Sequence, residues 1–361
     1  MPDRAASHRS ARVSPLPRRR LGRTDVKLTV LGLGGSSIGN LYRPVSERDA
    51  AGALECGWRA GIRYFDTAPL YGSGLGEHRL GRVLGQHRRD RFVLSTKIGR
   101  LLSPLEPGAA GNLRSRNVLP FTQAYDYSYD ATLRSLEDSL QRLGLGRIDV
   151  ALIHDIDADH HGPAGQKRRY REAMEGAYPA LARLRDEGVL KAIGVGTNDW
   201  RVCEQCAKDA DFDCFVLAGR YTLLEQGALA SFLPLCATKG IGVVCAAPFN
   251  SGILARGAVG AATYNDAAPP RAVLDKVRRV EKVCKRHGVK MAAAALQFPL
   301  AHRAIASVLP GVRGPAQVER NLRLFREAIP ADFWRALVSE GLLDAAAPTP
   351  KPRDTVPNTK G

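Results

Sequence analysis

Eight short apolar runs, each followed by an amphipathic segment or a polar loop, constrain the fold of this chain most. The runs predict strands at residues 30–37, 62–66, 92–97, 150–154, 192–197, 215–219, 242–247 and 305–310. Helices are predicted at residues 47–60, 75–87, 130–143, 170–187, 200–209, 224–239, 271–287 and 315–327. Strands that alternate with helices form parallel βαβ units, and strands buried on both faces are continuously apolar, as these are. The pattern predicts an α/β fold, a single-domain (β/α)8 TIM barrel.

A doubly wound sheet is the competing α/β fold. It requires Gly-x-Gly-x-x-Gly between the first strand and the first helix, and residues 32–35 do not give this spacing. We assign residues 19–343 to the barrel, with a short hairpin at 20–30. Disordered tails are expected at residues 1–18, which are basic, and at 344–361. Long loops are predicted on the C-terminal face at residues 100–129 and 155–169, where loops usually cover a substrate.

The net charge of +17 raises the hypothesis of nucleic-acid binding. Part of this charge lies in the tails, and the rest is spread over arginine-rich helix faces without interleaved aromatic residues. A solvated basic surface is the preferred interpretation, whereas nucleic-acid binding would be steeply salt-dependent. No run is long enough to span a membrane, and the arginines at 18–20 lead into a polar stretch unlike an export signal. We expect a cytoplasmic protein, a monomer or a weak homo-oligomer, that has neither nucleic acid nor membrane as partner.

The cysteines give no sign of a metal site. There are seven, an odd number without framework spacing, so reduced thiols are expected. Cys203 and Cys206 form an isolated C-x-x-C, and zinc would need a second pair or histidines at matching spacing. We therefore predict no metal.

Four polar residues occupy corresponding places on consecutive units. Asp66 ends the second apolar run and Tyr71 follows it, while Lys97 and His154 end the third and fourth runs. The carboxyl ends of barrel strands meet at one mouth, where barrel enzymes carry their chemistry. There Asp66 can pair with Lys97, and Lys97 is expected to lower the pKa of the Tyr71 phenol. Such a phenol can take the proton of an alcohol while a hydride leaves the same carbon for a nicotinamide cofactor. In the alternative interpretation, Asp66 caps a helix and Tyr71 packs at the rim.

These residues stand in motifs that resemble those of the aldo-keto reductase family, over a span from about Arg19 to about Leu343. The matching motifs are Phe65-Asp66-Thr67-Ala68 with Tyr71-Gly72, Ser95-Thr96-Lys97 and Ile153-His154-Asp155. The resemblance implies a (β/α)8 barrel with a nicotinamide cofactor extended across its C-terminal face. It also implies that Tyr71 is the general acid/base, that Lys97 and Asp66 tune it, and that His154 orients the substrate.

The resemblance further implies a cofactor site. Its candidate residues are Gly35 and Ser36, Thr197 and Asn198 at the carboxamide, Phe249, Asn250, Ser251, Gly252 and Leu254 over the pyrophosphate, and Pro310, Gly311, Arg313, Gln317 and Asn321 at the adenosine. Where the family has a Gln and often an aromatic residue, this chain has Ala218 and Ala246. Members that bind NADP often carry a Lys and an Arg at the positions of Gly311 and Gln317. NAD is therefore preferred over NADP, although Arg313 could replace one of these cations.

Within the family, residues 125–128 and 217–224 and the long loop before 125 resemble enzymes that oxidise an aldose or pyridoxal. The implied reaction is oxidation of a sugar such as L-fucose, D-arabinose or L-galactose at C1 to the lactone. The candidate substrate contacts are Tyr42, Arg116, Asp126 and Trp200. The alternatives are pyridoxal 4-dehydrogenase activity, general NADPH-dependent reduction of aldehydes and ketones, and a catalytically silent, cofactor-sensing barrel.

Overall fold

The computed structural model describes residues 15–106, 117–260 and 262–351. Within these ranges the strands are β1 (Arg18–Arg20), β2 (Lys27–Thr29), β3 (Leu33–Gly34), β4 (Tyr64–Asp66), β5 (Val93–Ile98), β6 (Arg100–Pro104), β7 (Phe121–Tyr125), β8 (Val150–His154), β9 (Ala192–Thr197), β10 (Cys214–Ala218), β11 (Gly242–Ala246) and β12 (Ile305–Leu309).

Eight of these strands form one parallel sheet in the order β12-β11-β10-β9-β8-β5-β4-β3. The sheet closes on itself, because Leu31 and Gly34 make parallel bridges to Val308 and Gly311. The Gly32 amide also donates to the Val308 carbonyl over 3.0 Å. The predicted barrel is thereby confirmed.

Helices cover the outside of the barrel. They are α1 (Glu47–Arg59), α2 (Leu75–Leu84), α3 (Tyr129–Leu143), α4 (Ala158–Glu172), α5 (Tyr178–Asp186), α6 (Trp200–Asp209), α7 (Phe232–Lys239), α8 (Ile253–Arg256), α9 (Arg271–His287), α10 (Met291–Gln297), α11 (Pro315–Arg326) and α12 (Ala331–Ser339). A π-helical turn at Ala173–Ala177 joins α4 to α5. The sequence pattern predicts α6 and α9 to the residue, but it does not predict α8, α10 or α12. None of the helices in the described ranges is long and apolar enough to cross a membrane.

The barrel interior is apolar at its amino end and polar at its carboxyl end. Tyr64 and Leu152 belong to the buried cluster that also includes Leu21 and Leu28 of the N-terminal hairpin. This predicted hairpin is present, with β1 and β2 antiparallel. Side chains two residues apart on a strand share a face. His154 therefore continues the inward row that contains Leu152, and Asp66 continues the one that contains Tyr64.

The two predicted long loops contain regular structure, so this part of the prediction was wrong. After β5, strands β6 and β7 form an antiparallel hairpin that pairs Arg100 with Tyr125. Its strands are largely half-exposed, so they lack the continuous apolar run of a barrel strand. Residues 155–169 largely belong to α4, which Asp157 caps and Gly162 interrupts at φ 68°. No residue of α4 is buried, so the helix leaves no apolar stripe in the sequence.

Both predicted tails begin too far inside the chain. Leu16 is buried and Arg18 opens β1, while residues 1–14 lie outside the described ranges. At the other end, the Asp344 amide donates to Gln226 Oε1 over 2.9 Å. Ala347 is also buried against the core. The C-terminal segment therefore packs on the barrel as far as residue 347.

Candidate active site

Three neighbouring strands of the barrel bring the four predicted catalytic residues to one mouth. Asp66 is the last residue of β4, Lys97 lies near the end of β5, and His154 is the last residue of β8. The registers β4–β5 and β5–β8 place these strand ends side by side. Tyr71 follows β4 in a tight turn, with its amide donating to the Ala68 carbonyl over 3.1 Å.

Lys97 and Asp66 form a buried ion pair at the floor of the site. Lys97 Nζ donates to Asp66 Oδ2 over 2.8 Å and to the Thr67 carbonyl over 2.8 Å. Ser95 Oγ donates to the second carboxylate oxygen of Asp66 over 2.7 Å. Burial alone would lower the pKa of Lys97, but the charges of Asp66 and Tyr71 outweigh burial and raise it. Lys97 is therefore a permanent cation.

Tyr71 lies between this cation and the histidine. Lys97 Nζ is 5.1 Å from the centre of the Tyr71 ring, and the rings of Tyr71 and His154 are perpendicular, with centres 6.2 Å apart. The charge of Lys97 favours the phenolate, as predicted. Burial nevertheless outweighs it, and the pKa of Tyr71 is raised above its ordinary value. The expected net lowering of the Tyr71 pKa was therefore wrong. Burial destabilises the phenolate more than the charge of Lys97 stabilises it.

His154 is a neutral imidazole. Burial, followed by the charges of Arg100 and Lys97, lowers its pKa well below the ordinary value. Its Nδ1 atom is buried and has no hydrogen-bond partner in the described structure. An uncharged imidazole can orient a substrate oxygen by a hydrogen bond without adding a second cation beside Lys97.

A buried ion pair that the sequence analysis missed lies beside His154. Arg100 Nη2 donates to Asp155 Oδ2 over 2.5 Å, and both side chains are more than nine-tenths buried. Arg100 also lies over the ring of Tyr125, 4.2 Å from its centre. The signal was present, because Asp155 directly follows a strand-end histidine and Arg100 follows the strand-end lysine. Buried charges at strand ends require partners.

His160 and His161, in the segment predicted to be a loop at 155–169, also contribute to this region. His160 Nδ1 is 2.7 Å from Asp157 Oδ1, and Thr197 Oγ1 donates to the other oxygen of Asp157 over 2.5 Å. Burial opposes both charges, yet their mutual attraction raises the pKa of His160 and lowers that of Asp157. The ligand atoms of Asp155, Asp157 and His160 lie within 4.8 Å of one another, as in a metal site. Arg100 and Thr197 already occupy the carboxylates, so the group forms an internal ion-pair network.

Gly99 allows this region to pack against the end of β8. Tyr127 OH donates to the carbonyl oxygens of His154 and Asp155 over 2.7 and 3.0 Å. Gly99 has φ +96°, and a Cβ atom there would lie 2.2 Å from Tyr127 Cε1. Both the conformation and the contact require glycine.

We expect Gly99→Ala to destabilise the fold by about 1–3 kcal/mol, because the methyl group displaces the Tyr127 ring. Thermal unfolding measures this loss. Gly146→Ala is the matched control, since no atom lies within 4 Å of its added Cβ and its φ is not positive. Equal stability of the two variants would contradict the packing role of Gly99.

The candidate carboxamide residues follow β9 at the same edge of the barrel. Thr197 is buried, and its hydroxyl accepts from the Asp199 amide over 3.2 Å while it donates to Asp157. Asn198 is half-buried, and its side-chain amide has no partner among the described residues. A free amide at this position fits a ligand that carries both hydrogen-bond donors and acceptors, as a carboxamide does.

The candidate pyrophosphate loop is strained. Asn250, Ser251 and Gly252 have φ of 44°, 55° and 100°, and such conformations persist where surrounding structure holds them. Asn250 itself faces inward, since it accepts from Thr222 Oγ1 over 2.6 Å and donates to the Gly219 carbonyl over 2.9 Å. It therefore shapes the loop. Leu254 is buried in the core beneath it.

Four loop residues complete the description of this edge. Phe249 packs half-buried on the core, and Ser251 Oγ donates to Asp266 Oδ1 over 2.8 Å. After β3, the Gly35 amide donates to the Asp66 carbonyl over 2.7 Å. Ser36 follows Gly35 and is half-buried.

Three arginines without ion pairs come together near the candidate adenosine segment. Arg313 Nε is buried without a partner, and burial together with the charges of Arg43 and Arg256 lowers the pKa of Arg313. None of the three belongs to an ion pair in the described structure. Converging cations without counter-ions fit an anionic ligand, such as the phosphates of a dinucleotide.

The remaining adenosine candidates lie directly after β12. Gln317 Oε1 accepts from the Arg313 amide over 2.7 Å, so its side chain is turned towards its own loop. Pro310 and Asn321 are buried. A Cβ atom at Gly311 would lie 3.0 Å from Ser37 Oγ, so little space is left there for a longer side chain.

Two of the four predicted substrate contacts have other hydrogen-bond partners in this structure. Tyr42 OH donates to Asp266 Oδ2 over 2.5 Å, and Asp126 Oδ1 accepts from the Ser128 amide over 3.0 Å. Trp200 opens α6 and lies near Gly227. Arg116 lies outside the described residues. Arg100, which the sequence analysis did not name, lies close enough to His154 for its charge to lower the pKa of that ring.

Ala218 and Ala246 stand where the resemblance implies larger residues. They are direct partners in the register of β10 and β11, at the carboxyl edge of the sheet. Two adjacent methyl groups leave this part of the edge open.

Comparison with known proteins agrees with this geometry. A profile of the Aldo/keto reductase family matches residues 30–339. Pyridoxal 4-dehydrogenase of Microbacterium luteolum is 42% identical over 335 residues, which cover 90% of this chain and 98% of that protein. D-threo-aldose 1-dehydrogenase of a Pseudomonas species is 38% identical over 328 residues, which cover 90% and 96%.

Solved structures share the fold. An aldo-keto reductase of Bacillus halodurans, solved in its holo form, matches 91% of this chain and 97% of its own, with a TM-score of 0.71 and 23% identity. The fold and the sequence matches together show that the chain belongs to the aldo-keto reductase family and is an oxidoreductase of that type.

Proposed function

We propose that this protein oxidises an aldose at C1 to the lactone, with NAD as the preferred cofactor. The observation that supports this most is the arrangement of Tyr71 between the buried Lys97–Asp66 pair and the neutral ring of His154. In this arrangement Tyr71 can transfer a proton, Lys97 is a fixed cation, and His154 can form a hydrogen bond to a substrate oxygen. These are the roles needed to take a hydroxyl proton from a carbon that loses hydride.

In the proposed reaction, Tyr71 takes the proton of the anomeric hydroxyl. Lys97 stabilises the phenolate from which this transfer starts, and Asp66 holds Lys97 in place. His154 donates a hydrogen bond to the same substrate oxygen. Enzymes of this family use nicotinamide cofactors, and the oxidised nicotinamide supplies the acceptor for hydride. Thr197 and Asn198 are the residues that would hold its carboxamide.

The preference for NAD rests on the adenosine segment. Gly311 offers no side chain, and Gln317 is hydrogen-bonded to its own loop. Arg313 is then the cation nearest in sequence for a 2′-phosphate, and it lies close enough to Arg43 and Arg256 for their charges to act on it. A pyrophosphate bound between these arginines would compensate their positive charges without a 2′-phosphate.

Pyridoxal is the second candidate substrate. The relative that is 42% identical carries the name of this activity, and the relative that is 38% identical carries the name of the aldose activity. An aromatic ligand would find the ring of Tyr125 beside Arg100. We further propose that the protein acts on a small-molecule substrate in the cytoplasm, and that it is a monomer or a weak homo-oligomer.

A substrate panel tests the proposal. Purified protein is given NAD or NADP with L-fucose, D-arabinose, L-galactose or pyridoxal, and reduced nicotinamide is followed by absorbance. We expect reduction of NAD with at least one aldose. Turnover of pyridoxal alone would favour the second candidate, and consumption of NADPH with simple aldehydes alone would contradict both dehydrogenase proposals.

A further inference from the structure

The side chain of Asp155 lies beside the catalytic candidate His154 and has no role in the reaction described above. Asp155 Oδ2 is 3.4 Å from His154 Nε2. The same oxygen accepts from Arg100 Nη2 and lies 3.4 Å from His160 Nε2. The Arg100 guanidinium and the His160 imidazole therefore lie beside this carboxylate, and the imidazole of His154 faces it as a third neighbour.

The backbone holds Asp155 in an unusual conformation. Its φ of 52° is in the left-handed region, which a non-glycine residue occupies only when its surroundings enforce it. The Asp155 amide donates to the Gly196 carbonyl on β9 over 3.0 Å, and Tyr127 OH donates to the Asp155 carbonyl. Neighbouring elements thus fix the carboxylate next to the ring.

The two ring nitrogens of His154 have different environments. Nδ1 is shut off from solvent and has no partner, so Nε2 is the nitrogen through which the ring can reach a substrate. A neutral imidazole carries one proton, and the nearby group decides which nitrogen bears it. A carboxylate attracts an N–H and repels a lone pair. Asp155 therefore favours the proton on Nε2.

We propose that the buried Arg100–Asp155 pair positions the catalytic imidazole by holding its proton on Nε2, so that this nitrogen donates to the substrate oxygen. The part played by the substrate oxygen rests on the proposed function. The tautomer itself does not, because it is a property of the protein alone. Burial raises the pKa of Asp155, and the charge of Arg100 opposes that rise. Arg100 also orients the carboxylate by its hydrogen bond, and Asp155 is a positioning residue.

The test is the Asp155→Asn variant of the full chain, labelled with ¹⁵N-histidine. In the original protein, we expect the His154 Nε2 resonance at a protonated-nitrogen shift, assigned by its disappearance in His154→Gln. Asparagine can present either an oxygen or an N–H to Nε2, so the resonance should move towards an unprotonated shift. Turnover should fall about tenfold or more, since the donor to the substrate oxygen is partly lost, while the Kd for NAD stays unchanged.

Asp149→Asn is the matched control. Asp149 precedes β8 as Asp155 follows it, and this buried carboxylate pairs with the half-buried Arg89 over 2.6 Å at the opposite end of the barrel. This variant should leave the His154 spectrum and turnover unchanged. If Asp155→Asn folds poorly, Arg100→Met/Asp155→Asn removes both buried charges and allows the same spectrum to be recorded.

An unchanged Nε2 shift in both Asp155 variants would overturn the proposal. A protein that shows the expected tautomer shift but oxidises no aldose or pyridoxal would instead refute the proposed function. The spectrum therefore tests the role of Asp155, the substrate panel tests the proposed function, and either proposal can be refuted without the other.

Discussion

Replacing Tyr71 by phenylalanine should lower turnover by roughly 10³-fold, because the variant keeps the ring but loses the group that moves the proton. The residues proposed to hold the cofactor lie on other loops, so the Kd for NAD should stay within about twofold. Steady-state rates with the best aldose of the panel and a fluorescence titration with NAD measure the two effects.

Tyr129→Phe is the control for Tyr71→Phe. Tyr129 opens α3, and its hydroxyl accepts from Arg183 over 2.7 Å in an exposed hydrogen bond. This variant should retain full turnover. If Tyr71→Phe also retained full turnover, Tyr71 would not be the acid/base of the reaction.

The raised pKa of Tyr71 has a consequence for the pH profile. Oxidation requires the phenolate, and burial shifts the pKa upward, so the reactive fraction grows as the pH rises towards the alkaline range. We expect kcat/KM for oxidation to increase with pH through neutrality. A profile that is flat between pH 6 and about 10, an ordinary tyrosine pKa, would contradict this assignment.

Replacing Lys97 by methionine should both abolish turnover and weaken the fold. The change leaves the carboxylate of Asp66, with 5% of its side chain exposed, without a counter-ion. Breaking a buried ion pair from one side costs about 3–5 kcal/mol. Chemical denaturation measures the loss of stability, and the same preparation gives the rate.

A double variant separates the two effects of Lys97. Asp66→Asn/Lys97→Met removes both charges, so it should recover much of the stability while turnover stays lost. Arg89→Met, which breaks the pair with Asp149 at the far end of the barrel, should weaken the fold without lowering turnover. Recovery of activity in the double variant would show that the pair has no role in catalysis.

The barrel and its polar mouth could be predicted because they leave periodic signals. Most barrel strands are predominantly apolar and buried, and Asp66, Lys97 and His154 are charged or ionisable residues near the carboxyl ends of three of them. A polar residue in that position is conspicuous, and parallel strand order then brings neighbouring ends together. The order of strands in the eight-stranded sheet follows the order in the chain, and the β1–β2 and β6–β7 hairpins form separate sheets.

The surroundings of the site could not be predicted in the same way. The helix α4 carries no buried residue, so its sequence looks like a polar loop. The roles of His160 and Asp157 depend on this helix, because the helix cap brings both side chains together. The pKa of Tyr71 depends on how completely the turn after β4 is buried. The local sequence pattern does not reveal the burial of a single residue in such a turn.

The substrate residues show the same limit. Tyr42 and Asp126 are polar residues at the correct edge of the barrel, but each has a partner in a neighbouring turn. Their side chains form hydrogen bonds that hold the loops in place. Arg100 reaches Asp155, the residue after His154, from the start of β6, which begins two residues after β5 ends.

Transfer of a label from the substrate tests the central claim most directly. L-Fucose deuterated at C1, or whichever aldose reacts best in the panel, is incubated with the protein and NAD, and both products are analysed by mass spectrometry. The proposed reaction predicts one deuterium in each reduced cofactor, none at C1 of the lactone, and no transfer in Tyr71→Phe. Reduced cofactor without deuterium would show that hydride does not come from C1 and would contradict the proposed function.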